Sequence, residues 1–153
     1  MNAAARSLLS GLAGGLAWIA AMLLLFGPAQ SILGDPGLQS AKFMNVMADP
    51  EQPPRMAGAL WIVPVGLMMI AQCHAAVFAW VGDRLPGRSA LRRGLAFGLI
   101  AWALSFPWFE FYLPWNVMLE PLPLVALELA CWLGVMLAVG AAISVTWAAT
   151  ARP

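Results

Sequence analysis

The chain has 153 residues, a formal net charge of +1, 62% hydrophobic residues and 10% charged residues, where a soluble domain carries about 25% charged. A chain this apolar cannot cover its own surface in water, whereas lipid is a fitting solvent for it. The balance excludes most soluble enzymes. No basic tract for nucleic acid is present, and residues 1–153 leave room for one small membrane domain without a separate soluble one.

Four apolar stretches organise the sequence: Leu8–Leu33, Met56–Gly82, Leu91–Leu113 and Leu122–Ala149. Each reaches or exceeds the roughly 20 residues a helix needs to cross a hydrocarbon core of about 30 Å. The expected fold is therefore an all-α integral membrane protein, a four-transmembrane-helix bundle. The first stretch follows Arg6 and has a loose small-x-small site at Gly27-Pro28-Ala29, as a signal peptide would. Its apolar run is too long for that, and it reads as an uncleaved span. Gly11 and Gly15 have the small-xxx-small spacing that lets helix backbones approach in lipid, here within the chain. Gly27-Pro28 should bend or end the helix.

The outer loop, residues 34–55, opens with the turn sequence Asp35-Pro36-Gly37. Apolar residues at Leu38, Ala41, Phe43, Met44 and Met47, set among polar ones, predict a short interfacial helix over about 38–47. It would cap the bundle or act as a lid over a site. Asp49-Pro50 and Pro53-Pro54 then redirect the chain into span two.

Span two carries Gln72, Cys73 and His74, the one histidine. A single histidine supports neither a bis-histidine haem nor a conventional zinc site. It reads as a packing residue bonded to Gln72 or to a hydroxyl of another span. Cys73 and Cys131 differ in depth by roughly 10 Å at the helical rise, too far for a disulfide, and read as small buried hydrophobes. Span three ends at Ser105-Phe106-Pro107, where the proline should loosen the last turn. Glu110 follows among aromatics, Pro114-Trp115-Asn116 predicts a tight connection, and Glu120-Pro121 opens span four.

Basic residues set the orientation. Arg6, Arg84, Arg88, Arg92, Arg93 and Arg152 share one side if all four spans cross, leaving Lys42 and Arg55 on the other. Both termini are then cytoplasmic. Trp80 and Trp147 fall at inner ends, and Trp61, Trp108, Tyr112 and Trp115 at outer ends, as interface anchors. The halves also echo each other. Gly15-Leu16-Ala17-Trp18 matches Gly94-Leu95-Ala96-Phe97, and Asn45-Val46-Met47 matches Asn116-Val117-Met118. This suggests a parallel tandem repeat of two helical hairpins.

Ionisable groups at membrane depth are costly, about 2.5–3.5 kcal/mol for a charge such as Asp at a helix centre. Glu128 is the clearest case, and Glu120, eight positions earlier, lies near the same face. The expected polar cluster is Glu110, Asn116, Glu120 and Glu128, with Lys42 or Arg55 as counter-charge and Asn45 as the repeat partner of Asn116.

Three function classes fit. The first is an accessory or scaffold subunit of a membrane complex, working with a membrane-protein partner or another copy of itself. The second is a small binder or transporter of a lipid-like or cationic ligand that uses the carboxylate cluster. The third is an intramembrane enzyme with a carboxylate acid or base. No nucleophile–base pair, metal set or phosphate loop is visible, so no catalytic residue, metal or cofactor is assigned. Membrane lipids are expected partners and nucleic acid is not. The Ala/Gly/Arg-rich usage suits a bacterial inner-membrane protein.

Overall fold

The structure, a computed structural model, describes residues 1–47 and 61–151. These residues form helices and no strands. In chain order α1 is Ala3–Leu33, α2 Ala41–Met47, α3 Ile62–Val81, α4 Ala90–Glu110 and α5 Leu122–Ala149. A 3-10 turn, Gly82–Arg84, follows α3, and a π-helical segment, Phe111–Val117, extends α4. Four of the helices are long and apolar enough to cross a membrane. The protein is an all-α, four-helix membrane bundle, as its composition predicts.

α5 is the central helix. α1 packs along it, α4 packs along it from another side, and α3 leans mainly on α1. Val135, Val139 and Ile143 of α5 are 0% exposed and Met136 is 1% exposed, so this helix is buried on more than one face. Close backbone approach makes this possible. A Cβ on Gly94 would stand 2.5 Å from the Gly140 carbonyl oxygen, and one on Gly98 would run into the Met136 carbonyl. Lipid tails are as apolar as side chains, so helices here hold together by such tight packing. Gly11 and Gly15 of α1 face Gln72 and Met68 of α3 in the same way, within the chain.

α3 and α4 scarcely meet. The gap is an apolar groove of about 490 Å³ lined by Val77, Val81, Leu85, Phe97 and Ile100, among others. A parallel twofold repeat would pack α3 on α4 as it packs α1 on α5. The sequence echo has no counterpart in that contact.

Pro28 and Pro107 both stand inside their helices. α1 runs through Pro28 to Leu33 without ending. Ala29 and Leu33 bury against Leu124 and Cys131, and this packing offsets the hydrogen bond that the proline removes. α4 likewise passes Pro107. The expected tight connection at Pro114-Trp115-Asn116 is instead the π-helical segment. The interfacial helix is shorter than 38–47 because Ser40 caps it: its Oγ accepts from the Phe43 amide at 3.0 Å. The Asp35 turn forms as predicted, with the Gly37 amide donating to Asp35 Oδ1 at 2.8 Å.

The two ends of the bundle differ in charge. At one end Arg6 Nη2 donates to the Trp147 carbonyl at 2.9 Å, which joins the start of α1 to the end of α5. Arg93 pairs with Asp83 there at 3.0 Å. α2, Glu110 and Glu120 stand at the opposite, acidic end.

Candidate functional site

Three local features assemble the acidic end. α4 widens into the π-helical segment directly after Glu110. Such segments are rare and frequently mark functional sites. The Met118 amide then donates to the Leu113 carbonyl, and the Glu120 amide to the Pro114 carbonyl, both at 2.9 Å. Between them Leu119 has φ 60°, a left-handed conformation uncommon for a bulky residue. Strain of this kind costs about 1–3 kcal/mol and persists only where the surroundings enforce it. Here the bend brings Glu120 inward. Glu120 therefore reaches the site from the connection before α5, not from the helix face that its eight-residue spacing to Glu128 suggested.

The loop before α2 holds this connection in place. Ser40 Oγ donates to the Met118 carbonyl at 2.6 Å. The Gln39 amide nitrogen donates to the Leu33 carbonyl at 3.1 Å and also to Glu120 Oε1. The end of α1, the loop and the entrance of α5 are thus tied together at one buried amide, Gln39 being 8% exposed.

Glu110, Glu120 and Glu128 converge, with one carboxylate oxygen from each lying within 4.8 Å of the others. Glu110 and Glu120 are each 1% exposed, and Glu128 is half-buried. Oε2 of Glu110 and Oε2 of Glu120 are buried and have no hydrogen-bond partner among the described residues. Burial pushes the Glu120 carboxyl above the usual carboxylate range. Gln39 opposes that shift and the nearby Glu128 charge adds to it. Like charges this close do not all stay bare, so the site calls for protons or a cation.

An aromatic layer lies one helical turn further in. Phe106 precedes Glu110 by one turn and Trp132 follows Glu128 by one turn. Their rings stack at 4.4 Å, and Phe26 of α1 closes on Trp132 at 4.7 Å. The Trp102 Nε1–H donates to the Leu129 carbonyl at 3.1 Å. This layer separates the carboxylates from the middle of the bundle.

Of the residues expected in the cluster, the structure brings together Glu110, Glu120 and Glu128. Asn116, Lys42 and Asn45 are exposed on the π-helical segment and α2. Arg55 lies outside the described residues, as do Asp49-Pro50 and Pro53-Pro54. Gln39 is the partner that sequence reasoning missed. Its one signal was position, two residues after the Asp35 turn and beside the Ser40 cap.

His74 does not bond to Gln72. Its Nδ1 bonds to the Ile70 carbonyl of its own helix at 2.8 Å, and its ring meets Trp18 and Phe97 edge-on at 5.6 and 6.2 Å. Gln72 donates to the Ser7 carbonyl at 3.1 Å instead. Both cysteines are free, and Cys73 is exposed on the α3–α4 groove, not buried.

The chain belongs to a family of unknown function (DUF6789), whose family model matches residues 5–145 and so takes in all three carboxylates. No curated protein and no solved structure matches it.

Proposed function

We propose that this protein is a small cation binder of a bacterial inner membrane, with both termini in the cytoplasm and with Glu110, Glu120 and Glu128 as the ligating groups. The observation that carries this reading is the convergence of three carboxylates, one oxygen from each within 4.8 Å of the others, while Oε2 of Glu110 and Oε2 of Glu120 are buried without a partner among the described residues. Carboxylates that merely tied helices together, as in the accessory-subunit reading, would spend those oxygens on donors.

The all-oxygen set suits a hard cation, calcium or a similar divalent ion, over softer metals. Two oxygens bound to one calcium ion lie at most about 4.6–5.2 Å apart, twice the bond length, and a 4.8 Å spread fits that sphere. Without the ion the same oxygens share protons, so uptake of the metal releases protons. The aromatic layer of Phe26, Phe106 and Trp132 favours a site loaded from the acidic end over a path through the bundle.

The test is a calcium titration of purified protein in detergent and weak buffer, followed by thermal unfolding and by a pH-sensitive dye. Saturable stabilisation with proton release, absent in Glu110→Gln and Glu128→Gln, supports the reading. A wild-type protein that neither gains stability nor releases protons with calcium, manganese or magnesium overturns it.

A further inference from the structure

The end of the bundle opposite the triad has a cavity of its own, about 280 Å³, between the start of α1, the end of α5 and the α3–α4 turn. Arg6, Arg93, Asp83, Phe78 and Trp147 line it. Both guanidinium groups are held in place. Arg6 donates to the Trp147 carbonyl and lies 4.1 Å over the Trp147 ring, a cation–π contact. Arg93 Nη1 pairs with Asp83 at 3.0 Å. These contacts leave part of each donor fork unused. Arg6 Nε and Arg93 Nε are both buried, and neither has a partner among the described residues. Ser144, also in the lining, donates its hydroxyl to the Ala90 carbonyl at 2.7 Å. Asp83, the one acid in the lining, has a side chain 96% exposed and is already engaged by Arg93.

The lining of the cavity therefore carries more positive than negative charge, and each of its two guanidinium groups keeps a buried N–H without an acceptor among the described residues. Arg84 and Arg88, exposed on the same connection, and Arg92, exposed in the first turn of α4, add to the positive field. A ligand that answers this carries an oxyanion with several acceptor oxygens, which a guanidinium fork matches in geometry. A phosphate group does so.

The neighbouring groove indicates what the phosphate is attached to. Arg93 and Phe97 are one turn apart on α4, hence on one face. Phe97 lines the α3–α4 groove, and Phe78, which lines the cavity, packs edge-on against it at 5.3 Å. Val81 and Leu85 carry the groove up to the same end. An anionic head with an apolar chain uses both features, whereas a free anion uses only the first. We propose that Arg6 and Arg93 bind the phosphate of an acidic phospholipid whose acyl chain enters the groove between α3 and α4. Basic pockets between membrane helices are suited to such headgroups.

The test is native mass spectrometry of the purified chain with phosphatidylglycerol, phosphatidylcholine or inorganic phosphate. Arg6→Gln/Arg93→Gln removes the fork pair, and Val77→Trp fills the groove. The expected result is retention of phosphatidylglycerol over phosphatidylcholine. The double variant should weaken it about twenty-five-fold, at about fivefold for each arginine, and Val77→Trp should weaken it too. Equal retention of both lipids, or full retention by the double variant, overturns the proposal. Inorganic phosphate that binds as tightly as the lipid, with Val77→Trp having no effect, assigns the cavity to a free anion and overturns it as well. If the double variant fails to fold, Arg6→Lys carries the test. It keeps the charge and loses the fork, and unchanged lipid retention in it counts against the proposal.

Discussion

Gln39 and Glu120, 81 positions apart in the chain, are joined by a hydrogen bond from the amide of the first to the carboxylate of the second. The same amide donates to the last carbonyl of α1, on Leu33. One side chain thereby satisfies an orphan carbonyl at a helix end and orients one carboxylate of the cluster.

Gln39→Leu should therefore cost about 1–3 kcal/mol, the penalty for leaving buried polar groups without a partner. Chemical unfolding in detergent measures it. Gln39→Glu should be worse, because it replaces the donor with a fourth carboxylate beside three others. A Gln39→Glu protein as stable as the wild type would mean that the carboxylates do not repel one another in the folded chain.

Stability should fall as pH rises. The Glu120 carboxyl is raised above its ordinary value of 4.5 by burial, with the Glu128 charge adding to the shift. The folded chain thus holds a proton that the unfolded chain has released, and the unfolding free energy decreases with pH over that interval. The contribution is complete below the ordinary value and is lost as pH climbs through the folded one. Melting temperatures across pH 4–9, without divalent ions, should decline for the wild type and less for Glu120→Gln. Equal slopes for the two proteins would remove Glu120 as a source of the effect.

The four crossings and the unusual Glu128 were legible from the sequence because hydropathy over twenty residues decides both. The convergence of Glu110 with Glu120 was expected, but its means were not. A π-helical segment and a left-handed Leu119 bring Glu120 inward, and neither leaves a mark in composition or periodicity. Asn116 and Asn45 looked like cluster members because the echo between the halves placed them together. Turning Glu120 inward leaves Asn116 on the exposed outer side of that segment. Gly27-Pro28 read as either a bend or an end of the helix, and that α1 continues to Leu33 depends on Leu124 and Cys131, far along the chain.

Close packing of α4 on α5 should tolerate no added methyl. Gly98→Ala would push a Cβ into the Met136 carbonyl, which is backbone and cannot swing aside. A loss of about 1–3 kcal/mol is expected for such overpacking. Gly27→Ala is the control. Nothing lies within 4 Å of a Cβ there, and alanine is the better helix former by about 1 kcal/mol. Unfolding in detergent should show loss for the first and no loss for the second. The reverse order would mean that α4 and α5 do not meet at these glycines.

The contact of Arg6 with the carbonyl and ring of Trp147 sets the topology. It requires the start of α1 and the end of α5 on one membrane face. The proposal that this face is the cytoplasmic one rests on the arginines clustered with them, by the positive-inside rule. In a chain with Cys73 and Cys131 replaced by serine, single cysteines at Asn2 and at Thr150 should react with an impermeant maleimide only after the membrane is opened. A cysteine at exposed Asn45 should react in intact cells. If Asn2 and Thr150 labelled from opposite faces, the Arg6–Trp147 contact could not form, and the bundle would have to cross an odd number of times.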